Sequence, residues 1–238
     1  MKNYSNTYIF VFSAIMVLVV AALLSFAALK LAPIQERNVE IEKKRNILSS
    51  LRIESTADNA DDIYDEYVTK SYVINNQGEL LEGVDAFEVN IKEQLGLVPD
   101  ERKLPVYVGE LEDGTTHYVF PVRGKGLWGP IWGYVALNED YSTIYGANFD
   151  HQGETPGLGA EINTDAFEQQ FIGKELFNEQ GEFVSIEVVK GNAPPDAEHK
   201  VDGISGGTIT SKGVQEMLYD VLGTYVSYFK SKKQLSYE

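Results

Sequence analysis

The hydrophobic pattern changes character three times along this chain. From Ile9 to Leu29, 21 residues pass without a charge, and as a helix they cover a hydrocarbon core of about 30 Å. Ser25-Phe26-Ala27 within that run has the small-x-small form of a signal-peptide cleavage site, but an h-region spans only about 7–15 residues, so a membrane anchor is expected. After Pro33, Val39, Ile41, Ile47, Leu48 and Leu51 recur among charges, which predicts an amphipathic helix over Gln35–Leu51 leading away from the bilayer. The expected organisation is an anchor over 1–32, a connecting helix over 33–58 and a folded domain over 59–238.

Beyond this point short β-rich runs dominate. An acidic stretch from Asn59 to Glu66 reads as a solvated helix face or loop. YVTKSYVIN and GELLEG predict two strands around Asn75-Asn76-Gln77-Gly78. Two longer runs in KLPVYVGELEDGTTHYVFPVRG meet at Asp113-Gly114, a dipeptide suited to a tight hairpin turn. IWGYVALNED and STIYGANFD follow as further strands, Thr164–Phe171 as a short helix, Glu182–Lys190 as a strand and Gly191–Lys200 as a loop. From about Thr210 the spacing of Val214, Met217, Leu218, Val221, Leu222 and Tyr225 is helical. Strands outnumber helices without a regular βαβ alternation, so the fold class expected is α+β behind a single transmembrane helix.

Composition removes several functions. Acidic residues outnumber basic ones 36 to 20, for a formal net charge of −16, so the electrostatic footprint of a nucleic-acid binder is missing. Without cysteine there is no disulfide, iron–sulfur cluster held by thiolates, zinc–thiolate site or cysteine nucleophile. His117, His151 and His199 are scattered, and His151 with Glu154 is too sparse a set to predict a metal site. Gly124-Lys-Gly-Leu-Trp-Gly129 fits G-x-G-x-x-G literally, yet Pro130 and a strand follow where a dinucleotide fold needs a helix. Lysines and arginines after Lys30 outnumber those before the span, so a literal positive-inside count keeps the domain cytoplasmic. Interleaved Glu36, Glu40 and Glu42 weaken that count.

The densest chemistry lies in Asp202-Gly-Ile-Ser-Gly-Gly-Thr-Ile-Thr-Ser-Lys-Gly213, at the start of the last amphipathic run. Glycines let backbone approach a guest closely, and a helix N-terminus offers unpaired N–H groups to an anion such as a phosphate. A Walker motif counted from Gly206 would need glycine at Ser211 and a hydroxyl at Gly213, so ATP binding loses its support. The alternative is a structural turn, with Gly206 and Gly207 supplying unusual dihedrals and Thr210 or Ser211 capping the helix.

This segment resembles the flavinylation motif of the FMN-binding domain family, Asp-x-x-Ser/Thr-Gly-Ala-Thr/Ser. Asp202, Ser205, Gly206 and Thr208 match, and Gly207 stands in place of the usual alanine. GKGLWGPIWGYVAL and HQGETPGLGAEI, together with the N-terminal span, look like the C-subunit family of sodium-translocating NADH:quinone oxidoreductases. A second relative by resemblance is the flavoprotein subunit of Rnf-type ferredoxin:NAD oxidoreductases, and the Gly126–Pro130 and Glu154–Gly159 blocks tip the balance to the quinone reductase.

The resemblance implies FMN joined to Thr208 through a phosphoester, attached by a flavin transferase, in a domain on the extracytoplasmic side of the bacterial inner membrane. It implies an electron relay from NADH toward quinone among other membrane subunits, with no substrate pocket of its own. Around the phosphodiester, the N–H groups of Gly206, Gly207 and Ile209, with Ser205, Thr210 and Lys212, are the expected partners. Glu154, Thr155, Leu158, Gly159 and Trp128 are expected about the isoalloxazine, while Trp132 and Tyr134 are assigned to the core. Asp202 is expected either to shape the glycine loop as an Asx-turn or to serve the attachment reaction.

Overall fold

A computed structural model describes residues 5–191, 193–194 and 196–235. The chain divides into residues 1–43 and 44–238. In the first unit, helix α1 (Asn6–Ser50) begins and passes through Pro33 unbroken, so the two helical segments expected on either side of that proline form one element. Pro33 has no N–H to give the carbonyl four residues earlier, and the helix continues through it nonetheless. From Ser5 to Leu31 every side chain is exposed, and the helix is long and apolar enough to cross a bilayer.

The second unit is built on a six-stranded antiparallel sheet. Its strands are β1 (Val68–Ile74), β2 (Leu80–Leu81), β3 (Leu104–Glu110), β4 (Thr116–Lys125), β5 (Pro130–Leu137) and β6 (Ile144–His151), in spatial order β2-β1-β3-β4-β5-β6. Asp113-Gly114 turns the chain from β3 to β4 as predicted, with Gly114 at φ 81°. Side chains alternate between two hydrophobic clusters, because successive residues of a strand point to opposite faces. Val106, Phe120, Val122 and Val135 face one cluster, and Tyr107, Val119, Tyr134 and Ala136 the other.

Helix α5 (Thr208–Gly223) and helix α6 (Val226–Leu235) close the first face through Val214, Met217, Leu218, Val221, Leu222, Tyr228 and Phe229. Ile47 and Leu51 cover the second, beside Tyr64 of helix α2 (Ala60–Tyr67). With both faces buried, the strands read as apolar runs rather than clean alternation. A five-residue helix α3 (Ile91–Leu95) and a four-residue helix α4 (Asp165–Glu168), continued by a 3-10 turn over Gln169–Phe171, fill the edges.

The strand expected over Glu182–Lys190 shrinks to β7 (Glu187–Val189). Ser185 sits at φ 59° and the N–H groups of Val184 and Ser185 both reach the carbonyl of Leu176, which breaks the extended run. The loop expected to end at Lys200 instead enters a short strand β8 (Lys200–Asp202), parallel to β7. That pairing delivers the chain to Gly203, whose N–H donates to Val189 O at 2.7 Å, immediately before α5. Trp132 is only half-buried beneath the guanidinium of Arg123 at 5.7 Å, outside the core it was assigned to, whereas Tyr134 lies in it.

Candidate functional site

The glycine-hydroxyl motif forms a tight turn and the first turn of α5. Gly207 N–H donates to Ile204 O at 3.0 Å, and Gly206, third in that turn, sits at φ +74°. A type II turn requires a positive φ at that place, which glycine adopts without steric cost. Ser211 Oγ accepts the N–H of Ile204 at 2.9 Å, stapling the turn to the helix. Neither Ser211 nor Thr210 caps α5, as one expectation had it, because Gly207 holds the N-cap position and has no side chain.

Thr208 is thus the first helical residue, and its side chain is exposed. The next backbone bond of the helix runs from Ser211 N–H to Gly207 O at 2.9 Å. The N–H groups of Thr208, Ile209 and Thr210 therefore have no backbone acceptor among the described residues, as geometry dictates for a helix start. Such a cluster, at the positive end of the helix dipole, favours an anion. Gly207, expected to donate to that anion, has spent its N–H on the turn. Lys212 stands one turn further on the exposed side, with Nζ 3.7 Å from Glu216 Oε1.

Beneath this turn lies Glu154, 4% exposed and the one carboxylate in the buried class among the described residues. Its Oε2 accepts the hydroxyl of Thr210 at 2.6 Å and its Oε1 the N–H of Trp128 at 2.8 Å, while its own N–H donates to His151 Nδ1 at 3.2 Å. Burial pushes its pKa up; hydrogen bonds from Thr210 and the N–H groups of Trp128 and Gly129, with the His151 charge, outweigh this and hold it below the ordinary 4.5. A Cβ on Gly126 would lie 2.5 Å from Oε1, and one on Gly159 2.6 Å from Oε2. Glycine is needed at both places for the carboxylate to enter.

The G-x-G-x-x-G segment is the β4–β5 hairpin, as its proline implied, and it carries Trp128 out to 70% exposure. Leu158 is 41% and Ile209 58% exposed, and a Cβ on Gly206 would meet Leu158 Cδ2 at 2.5 Å. Trp128, Leu158 and Ile209 are thus exposed apolar side chains, Ile209 next to Thr208 in the chain and Leu158 against the Gly206 turn. Thr155 takes a structural part, its carbonyl accepting the N–H groups of Leu158 and Ala160, each at 3.1 Å. Ser205 is exposed in the turn itself.

Of its two expected roles, Asp202 does not form the Asx-turn. Its Oδ1 accepts the N–H of Ala193 at 2.5 Å, and its backbone N–H donates to Gln170 Oε1 at 2.8 Å, so it ties the preceding loop rather than the glycines. His117 stacks on Tyr145 with centroids 3.7 Å apart, and His199 Nδ1 lies 2.6 Å from Glu175 O, both away from the turn. Sequence reasoning named Glu154 and Thr210 without pairing them, since nothing in the chain announces a bond between residues 56 apart.

Residues 126–223 match the FMN-binding domain family, a span that begins at the hairpin glycine and ends with α5. The chain is 34% identical over 213 residues, 83% of each protein, to the C subunit of the Na(+)-translocating NADH-quinone reductase of Vibrio alginolyticus. With its counterpart from Haemophilus ducreyi it is 34% identical over 234 residues, 90% of each. Among solved structures, the C subunit from Parabacteroides distasonis superposes with a TM-score of 0.76 at 42% identity, over 84% of this chain and 96% of that one. The chain belongs to the family of Na(+)-translocating NADH-quinone reductase C subunits.

Proposed function

We propose that this chain is the flavin-bearing electron-relay subunit of a sodium-translocating NADH:quinone reductase, with FMN esterified to Thr208. The observation that carries the reading is the exposed hydroxyl of Thr208 beside three N–H groups without a backbone acceptor. They fit a phosphodiester, which keeps one negative charge, and the apolar surface of Trp128, Leu158 and Ile209 fits a flat ring. When bound, FMN supplies one- and two-electron chemistry that no side chain of this cysteine-free protein provides.

Attachment is the work of a flavin transferase. Thr208 would supply the ester oxygen: its Oγ1 would bond to the phosphorus of a flavin donor as the donor's leaving group departs, with the hydroxyl proton passing to a base of the transferase. The N–H groups of Thr208, Ile209 and Thr210 would hold the phosphate, and Lys212 would add a cation on the same exposed side. Gly206 keeps the turn open above Leu158. A tethered flavin cannot be lost by dilution, which suits a relay exposed to solvent and to neighbouring subunits.

We further take residues 1–32 as the membrane anchor, 33–58 as the connecting segment and 59–238 as a domain on the extracytoplasmic side. A reporter fused after residue 238 is expected to behave as exported, and protection of the domain from protease in intact spheroplasts overturns that placement. For the flavin, visible absorbance that stays with denatured, precipitated protein and an intact mass heavier by one FMN ester are expected. Both vanish in Thr208→Ala, whose fold is preserved because the hydroxyl is exposed. Covalent flavin in that variant moves the acceptor elsewhere.

A further inference from the structure

We propose that Glu154 is a positioning residue for the acceptor threonine: through Thr210 it locks the first turn of α5 so that Thr208 presents its hydroxyl outward. The proposal rests on the assignment of FMN to Thr208 and extends it to a side chain that the flavin need not touch.

Glu154 joins three segments far apart in sequence. The hairpin 126–129 donates the Trp128 N–H, the loop 151–159 brings the carboxylate, and the first turn of α5 donates the Thr210 hydroxyl. Two glycines, Gly126 and Gly159, make the carboxylate's enclosure, and a side chain at either place would displace it. A buried carboxylate is costly unless its oxygens are paired with donors, and here both oxygens are paired. Such a bond is charge-assisted and directional, so it fixes the rotation of the helix start rather than merely adding stability.

The consequence for Thr208 is geometric. Thr210 is two residues on, which places it on the opposite side of the first turn from Thr208. Anchoring Thr210 inward, 1% exposed, turns Thr208 outward. The same bond takes the Thr210 hydroxyl out of competition, so that only one threonine of the Thr208-Ile209-Thr210 triplet can reach phosphorus.

The test is a time course of flavin attachment on the full chain in cells producing a flavin transferase, read by intact mass. Thr210→Val is expected to slow attachment roughly tenfold, the equivalent of one lost charge-assisted hydrogen bond, and Thr210→Ser to restore it. Glu154→Ala is expected to slow attachment as well. Leu222→Ala, at the far end of α5, lowers stability without touching the lock and is expected to load at the wild-type rate. Wild-type loading in Thr210→Val, or equal slowing in Leu222→Ala at matched folded fraction, overturns the proposal. Absence of covalent flavin from the wild type overturns the Thr208 assignment instead, and this proposal with it.

Discussion

Glu154 and Glu168 are two shielded carboxylates, each accepting a backbone N–H, and their environments push them in opposite directions. Around Glu154, burial is outweighed by the Thr210 hydroxyl, two backbone N–H groups and His151, so the carboxylate form is favoured. Glu168 lines a polar groove of about 900 Å³ and accepts the N–H of Phe149 at 2.7 Å. Burial raises its pKa, the Phe149 N–H bond opposes, and Asp165 and Asp150 add repulsion, leaving it at about 7. Burial alone therefore predicts neither charge state; the count of donors and the sign of the neighbours decide.

The linkage signs differ accordingly. Glu154, with a depressed folded-state pKa, contributes stability that is present above the ordinary value of 4.5 and is lost as pH falls through its folded-state pKa. Glu168, with a raised one, favours the folded state when protonated, so its contribution is present below 4.5 and lost as pH rises to about 7.

The largest expected effect is that of Glu154→Ala, which leaves the buried Thr210 hydroxyl and the part-buried Trp128 N–H without their acceptor. A loss of about 2–4 kcal/mol at pH 7 is expected from two unpaired donors, measured by urea denaturation of flavin-free protein. A loss under half of that means water or another group replaces the carboxylate.

Glu168→Gln keeps an acceptor for Phe149 N–H while removing the charge. It is expected to raise stability at pH 8 by about 1–2 kcal/mol, after discounting the shift for solvent screening, and to flatten the decline between pH 4.5 and 7. An unchanged pH profile shows that Glu168 titrates like an exposed acid. Gly206→Ala should cost about 1–2 kcal/mol, since alanine is strained at positive φ and its methyl meets Leu158. Its readout is the thermal midpoint of the flavin-free chain, and an unchanged midpoint means the turn relaxes cheaply.

At the small end stands Lys212→Gln. Its partner Glu216 is 3.7 Å away, with the two side chains 70% and 62% exposed, so stability is expected to change by under about 0.5 kcal/mol. A larger drop assigns the pair a structural weight its exposure does not suggest.

Several elements were legible because local physics sets them. The charge-free run to Leu29 needs no partner to be read as a span, the β3–β4 hairpin announces itself at Asp113-Gly114, and α5 by its apolar spacing. Less legible were β7 and β8, three residues each, whose parallel pairing depends on contacts across a loop. Pro33 was read as a boundary by its usual local effect, and α1 carries it instead. For Asp202, one of the two expected roles, the Asx-turn, is a local device, but its carboxylate accepts the N–H of Ala193 in the preceding loop instead.

What the sequence determined by itself is the anchor, the α+β character, and the run of residues that puts Thr208 at a helix start, because period, turn chemistry and motif are all written within a few residues. Only the tertiary structure decided that Gly207 gives its N–H to the turn, that Lys212 leans toward Glu216, and that Glu154 sits under Thr210. Those are choices among donors and acceptors, and a chain settles them only when folding brings distant segments within hydrogen-bonding reach and excludes the water that would otherwise serve each group equally well.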